Sequence, residues 1–521
     1  MSFVRSVFTV SGYTVLSRLG GFVRELLTAS FLGAGAVTDA LSLAIRLPSF
    51  FRRLFAEGAL NACFVPIFSG LCAAGKQEEA KTFAEHVLTL VLLVVLTLVV
   101  VVELFLPNIL PVLLPGFVKT PERMAYLIQF TRLTFPFILF ISLTALYGGV
   151  LNSLERFAAV ASSPMVANLF IAAFVLGMST ALSKPGYVFA MAVGLSGLIQ
   201  LLWVMVPAWR RGMGLRLTIP RWTPHVRQFL LKMGPAALGS GIAHINLFMG
   251  TFIASWLPVG SIAYLGFADR LNQLPLSVLG VALTTVLLPL LSKQVRADQR
   301  LQADQTQTMA IEFGLFFSLP AFVILWVMAE PLVAAVFERG AFQAKDTLQT
   351  AHTLRAYALG LPAYVVAKIF SVRFFAHGDT RTVLLAGLGS VVTDVLLSLS
   401  LMGTWHHVGI AMAVSVAAWV DAILLGVMLK RRGLLGSMAY TSPFLGKLAL
   451  ACSFTMVFLY MGQQALVVLS LSMAWEKSFY TFALLAVGML CFLKSTSWLR
   501  IPLARFYRSA MASNVEIAKT N

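Results

Sequence analysis

Long apolar runs separated by short polar interruptions fill this chain from end to end. The stretch VLTLVLLVVLTLVVVVELFL at 87–106 holds a single charged residue, Glu103. Such a run reaches the roughly 20 residues that a helix needs to cross a hydrocarbon core of about 30 Å. The same spacing recurs, and it predicts fourteen spans at 7–32, 38–70, 82–106, 124–150, 157–180, 187–208, 226–257, 261–292, 309–337, 349–376, 382–403, 408–429, 443–466 and 471–493. A membrane barrel would show alternating segments of about ten residues instead. The expected fold is therefore all-α and polytopic. Arg18 interrupts the first apolar stretch, so that stretch reads as a retained helix rather than a cleaved signal.

Composition agrees: the 521 residues are 59% hydrophobic and 12% charged, too little polar surface for a soluble protein of this length. The net charge of +18 raises the question of nucleic acid, and the placement of the charges answers it. With the N-terminus inside, the cytoplasmic segments carry 24 Lys and Arg and the outer loops 6, namely Lys119, Arg123, Lys184, Arg339, Lys345 and Lys477. That excess follows the positive-inside rule with both termini cytoplasmic, and no nucleic-acid partner is needed. Nine basic residues remain within spans: Arg18, Arg24, Arg46, Arg52, Arg53, Arg132, Arg270, Arg355 and Lys368.

The most polar interruption, RRGMGLRLTIPRWTPHVRQ at 210–228, reads as a linker between two halves. Three segments repeat in order across it. ASFLGAGAVTDA (29–40) matches ASWLPVGSIAYL (254–265), AIRLPSF (44–50) matches ADRLNQL (268–274), and ALNACFVPIFS (59–69) matches ALTTVLLPLLS (282–292). An offset of six spans gives both copies the same orientation, as in transporters whose halves bind substrate between them. The expected organisation is a six-helix lobe at 1–209, a basic cytoplasmic linker at 210–225, a second six-helix lobe at 226–432, and two extra spans with a basic tail at 433–521.

Five arginines fall in the first two spans, with Glu25, Asp39 and Glu57 as acidic neighbours. Charge facing lipid is not tolerated, so these groups either line a wet cavity or pair and snorkel at an interface. The cavity reading is favoured for Arg18, Arg24 and Arg270, whereas Arg46, Arg52 and Arg53 fit either. Gly20–Gly21 lets the first helix bend or thin, and Pro48 predicts a kink in the second. Asp269 accompanies Arg270, which the repeat aligns with Arg46. Guanidinium groups fork onto phosphate oxygens, so a surplus of them calls for an anionic substrate such as a diphosphate. Asp394 and Asp421 stand without basic neighbours in sequence; each fits either a Na⁺ or proton coupling site or a protonated, hydrogen-bonded carboxyl.

Other chemistry is absent from the sequence. It contains no Walker motif, no HExxH and no dinucleotide fingerprint, and no metal or redox spacing links Cys63, Cys72, Cys452 and Cys491. The pair His406–His407 reads as a solvated outer loop.

The segments SRLGGFVRE, GAGAVTDALSLAIRLPSFFRRLFAEGALNACFVPIF, LTFPFILFISLTALYGGVLNS and ADRLNQLPLSVLGVALTTVLLPLLS together resemble the MurJ/MviN family of lipid II flippases, within the multidrug/oligosaccharidyl-lipid/polysaccharide exporter superfamily. The resemblance covers essentially the whole chain. It implies two six-helix lobes around a central cavity, two further helices forming a lipid-tail groove, and residence in the bacterial inner membrane. It implies that the substrate is lipid II, an undecaprenyl-diphosphate disaccharide-pentapeptide, moved from the inner to the outer leaflet by alternating access. The protein would then be a transporter without a catalytic residue or bound cofactor, driven by Na⁺, protons or the membrane potential, and an associate of the cell-wall synthesis machinery. The family's essential arginines match Arg18, Arg24, Arg52 and Arg270, and its essential aspartate matches Asp39; Glu25, Arg46, Arg53, Glu57 and Asp269 are candidate supports. Relatives can carry a glutamate where this chain has Gln273. Competing readings are a multidrug cation exporter of the same fold, which surplus arginine disfavours, and a membrane glycosyltransferase, for which the short outer loops lack positioned carboxylates.

Overall fold

A computed structural model of the chain describes residues 3–52, 60–178, 184–282, 287–435, 441–468 and 474–501. Among them every regular element is a helix, as the apolar periodicity requires. Arg53, Glu57 and the basic tail beyond 501 lie outside the described residues.

The chain divides into two compact units. The first comprises Met1–Ala263 with Arg339–Phe342. Its helices are α1 (Phe3–Leu32), α2 (Ala36–Phe51), α3 (Asn61–Ala73), α4 (Gln77–Leu113), α5 (Pro115–Val118), α6 (Pro121–Thr134), α7 (Phe137–Ser153), α8 (Phe157–Met178), α9 (Pro185–Trp209) and α10 (Pro224–Ala254). Proline opens α5, α6, α9 and α10, where its missing N–H costs nothing and its fixed φ suits the first turn. The Thr223 hydroxyl caps α10 by accepting from Val226 N at 3.3 Å. Phe64 stacks on Phe68 and Phe83, with centroids 5.3 and 5.4 Å apart, and Phe229 of α10 joins the same buried cluster. Because α10 packs on α3 and α4, the first unit extends past the 210–225 linker as far as Ala263.

The second unit, Tyr264–Glu338 with Gln343–Asn521, contains most of α11 (Ser261–Ala282), then α12 (Leu288–Arg296), α13 (Arg300–Val327), α14 (Ala329–Phe337), α15 (Ala344–Ala358), α16 (Leu361–Ala376), α17 (Thr380–Arg431), α18 (Thr441–Val468) and α19 (Ala474–Trp498). One apolar cluster joins α12, α13, α16 and α17 through residues such as Leu291, Ile369, Phe374 and Leu425. Another joins α13 to the last two helices through Phe316, Leu448, Leu459 and Phe492.

Nine spans among the described residues are long and apolar enough to cross a membrane, with α6–α7 and α15–α16 each counted as one. One of them, α17, has 52 residues and would extend about 78 Å at 1.5 Å per residue, more than twice the hydrocarbon thickness. His406, at φ 47° and ψ −126°, breaks it into two spans. Adding α1, the α2–α3 pair, α10 and the α11–α12 pair accounts for the fourteen expected. Of these, α2 and α3 are individually too short to span, at 16 and 13 residues, while α1 and α11 carry intramembrane charge.

One local expectation changes. The chain reverses at His406 without a loop, so His407 is not solvated: it is buried, with its ring 5.1 Å from that of Tyr264. Helix α2 runs through Pro48 to Phe51, and Arg52 N donates to the Pro48 and Ser49 carbonyls.

Close helix approach in the first unit depends on small residues. A Cβ built at Gly194 of α9 would lie 2.2 Å from the Leu133 carbonyl oxygen of α6. Gly194→Ala should therefore destabilise the protein by about 1–3 kcal/mol through overpacking. Thermal unfolding in detergent checks this, with Gly177→Ala, where a Cβ meets open space, as the unaffected comparison.

Candidate functional site

Arg18 sits halfway along the 30-residue helix α1, about 22 Å from either end at 1.5 Å per residue. Its side chain is exposed, and among the described residues no ion pair within 4.0 Å involves it. Arg24, half-buried on the same helix, donates through Nη2 to Glu25 Oε1 at 3.0 Å. The Gly20–Gly21 pair between them serves close packing. Asn168 of α8 donates to the Ser17 carbonyl at 3.0 Å, and a Cβ at Gly20 would stand 3.0 Å from Asn168 Cβ. With Glu25 beside Arg24, Arg18 is the mid-span guanidinium of α1 that has no ion pair among the described residues.

Asp39, one turn into α2, is completely buried. Its Oδ2 accepts from Arg123 Nη2 at 2.9 Å and from Gly260 N at 2.7 Å, and its Oδ1 accepts from Ala263 N at 2.9 Å. Gly260 and Ala263 bracket the start of α11, so the carboxylate lies where a helix N-terminus stabilises negative charge. Arg123 is also buried; its Nη1 donates to the Leu257 carbonyl at 3.2 Å and its guanidinium lies 4.1 Å from the Phe117 ring centroid. One carboxylate therefore fastens α2, α6 and the α10–α11 turn together.

Sequence reasoning counted Arg123 among the outer-loop charges and missed this pair. A signal was present: Arg123 lies in the first turn of α6, where the helix dipole opposes a cation, so another interaction must hold it there. Nearby, Ala341 N donates to the Ser30 carbonyl at 2.8 Å, and Gly340 adopts φ +60° with its Cα against that carbonyl. A side chain at Gly340 would meet both strain and a 2.3 Å clash.

The other candidates are dispersed. Arg46 is half-buried, with Nη1 3.5 Å from Thr251 Oγ1 of α10. Arg52 is half-buried at the C-cap of α2. In the second unit Arg270 is exposed on α11, and Gln273 donates to Asp269 Oδ2 at 2.5 Å. A glutamate at 273 would place two carboxylates one turn apart; the amide here makes a hydrogen bond instead.

Asp394 is buried and accepts from Ser398 at 3.3 Å, while Asp421 Oδ1 is buried with no hydrogen-bond partner among the described residues. Tyr364 of α16 lies within electrostatic reach of Asp269, Asp394 and Asp421, which come from α11 and both arms of α17. Among the described residues no group of three or more His, Cys, Asp or Glu has the geometry to hold a metal ion.

A family model described as lipid II flippase MurJ matches residues 28–486. A relative from Rhizobium meliloti (strain 1021), described as a probable lipid II flippase MurJ, is 40% identical over 438 residues, which is 83% of this chain and 82% of that protein. A solved structure of lipid II flippase MurJ in an inward closed conformation superposes with TM-score 0.74 at 25% identity, covering 96% of this chain and 99% of that one. An inward-facing multidrug resistance MATE family transporter of the MOP superfamily superposes with TM-score 0.63 at 16% identity, covering 82% of this chain and 97% of its own, a likeness of fold.

Removing one partner of a buried ion pair strands the other, at a cost of about 3–5 kcal/mol. Asp39→Asn and Arg123→Gln should each lower the thermal midpoint in detergent strongly. The double variant should lose clearly less than the sum of the two. Additive losses would mean that the two groups do not act as a pair.

Proposed function

Because the chain belongs to the MurJ family of lipid II flippases, we propose that it carries lipid II from the inner to the outer leaflet of the bacterial inner membrane, with both termini cytoplasmic. Arg18, Arg24, Arg52 and Arg270 are the proposed ligands of the substrate diphosphate. The observation that carries this reading is the exposed guanidinium of Arg18 at the middle of α1, with no acidic partner among the described residues. In a bilayer such a group needs water or an anion, and a diphosphate supplies the oxygens that a guanidinium fork matches. A cationic drug would be repelled by the same surplus, which disfavours the multidrug reading. The transport role follows from the family, and the chemistry asked of the residues is binding and release rather than bond making.

The proposed cycle has two electrostatic parts. Diphosphate binding offsets repulsion among the arginines and favours closing around the headgroup, provided the lipid binds the closed state more tightly. The Asp39–Arg123 pair acts as a latch on the start of α11, which must give way or move as a unit when the outer side opens. Release needs the anion's hold to weaken. Uptake of a coupling ion at Asp394 or Asp421, a proton being the simplest, is the proposed means, alongside the membrane potential, worth about 2.3 kcal/mol per charge per 100 mV. Association with the cell-wall synthesis machinery belongs to the same proposal.

Translocation of fluorescent lipid II in proteoliposomes tests it. Arg24→Ala should abolish transport while the thermal midpoint in detergent stays near that of the wild type. Arg18→Lys should also lose most of it, about tenfold or more, because an ammonium does not reproduce the bidentate fork. Wild-type rates in both variants would remove the arginines from the substrate site.

A further inference from the structure

The first unit contains a cavity of about 300 Å³ that the transport reading does not use, lined by the α7–α8 loop, the C-terminal end of α9 and Thr9 of α1. Arg156, Arg210 and Arg211 line it, together with Glu155 and the first turn of α8. Its frame is well defined. Arg156 N donates to the Leu151 carbonyl at 2.8 Å, and Glu155 takes a left-handed φ of 58°, which turns the chain into α8. At the other wall, the N–H groups of Arg210 and Arg211 donate to the Val206 and Ala208 carbonyls at 3.1 Å each, and Gly212 follows at φ 77°. Both arginines therefore leave from a closed helix-terminal turn.

The charge there is unbalanced. Three permanent cations face one carboxylate, and among the described residues no ion pair within 4.0 Å involves Arg156, Arg210 or Arg211. The first turn of α8 adds backbone N–H groups that have no intrahelical acceptor. Beside the cavity, α9 exposes Leu202, Val206 and Trp209, at 41%, 41% and 53%. Their spacing of four and three residues makes one apolar stripe, which on a membrane-spanning helix meets acyl chains. A soluble anion would have no use for such a stripe; a lipid uses both features.

We propose that this cavity binds the phosphate of an anionic phospholipid, with Arg156, Arg210 and Arg211 around the headgroup and the acyl chains along Leu202, Val206 and Trp209. Basic pockets at the cytoplasmic ends of membrane helices suit such headgroups, and the positive-inside count puts this end of α9 on the cytoplasmic side. The inference goes beyond lipid II transport and uses none of the residues assigned to it.

Native mass spectrometry of the full chain in detergent, titrated separately with dioleoylphosphatidylglycerol and dioleoylphosphatidylcholine, tests it. The wild type should retain the phosphatidylglycerol with a preference of about tenfold or more. The variant R156Q/R210Q/R211Q should lose that preference, R211Q alone should lose part of it, and R227Q, outside the cavity, should keep it. Millimolar inorganic phosphate should fail to displace the lipid. Equal retention of the two lipids by the wild type, an unchanged preference in both R211Q and the triple variant, or an equal loss in R227Q would overturn the site. Displacement by inorganic phosphate would overturn its assignment to a lipid. If the triple variant does not fold, R211Q against R227Q decides.

Discussion

A charged side chain within a bilayer must be paired, hydrated or neutralised, and this constraint organises the molecule. The chain meets it in two ways. Some charges are buried against opposite charge, as Asp39 is with Arg123 at 2.9 Å. Others keep contact with what lies outside the protein, as Arg18 does on an exposed face of α1. The paired charges position helices. Arg18, without an ion pair among the described residues, is where an anion is proposed to bind.

The Asp39 contact shows how such a pair works as a mechanical part. Its carboxylate accepts from a guanidinium and from two backbone N–H groups at the start of α11, so one side chain fixes three separate stretches of chain. A partly opened version has little to stabilise it, since loosening Arg123 leaves both charges uncompensated in an apolar surround. Contacts of that kind are either made or broken, which is the property that a transporter alternating between two states requires. The proposed transport cycle gives this latch a purpose.

Much of the architecture was legible because membrane insertion imposes it locally. Twenty-residue apolar runs, proline at helix starts and the bias of basic residues each act within one span or loop, and all can be read in sequence order. What escaped was long-range. Arg123 looked like an ordinary loop charge because its partner lies 84 residues away, and no periodicity links positions 39 and 123. His407 looked solvated because a pair of histidines between two spans suggests a loop, whereas the chain turns within one residue and carries the ring inward. Asp269, Asp394 and Asp421 looked unrelated until α11, α16 and α17 brought them within electrostatic reach of Tyr364. The basic cavity beside α9 combines a loop, a helix end and a residue of α1, and no motif spans such a set.

In the proposed site the intramembrane guanidinium groups serve a diphosphate rather than an apolar tail or a sugar alone. Equilibrium binding of undecaprenyl diphosphate and of undecaprenol to the purified wild-type protein, compared at rising ionic strength, separates these cases. The diphosphate should bind saturably and more weakly as salt screens the charges, and the alcohol should bind little. Equal affinity for the two lipids, insensitive to salt, would rule the diphosphate out.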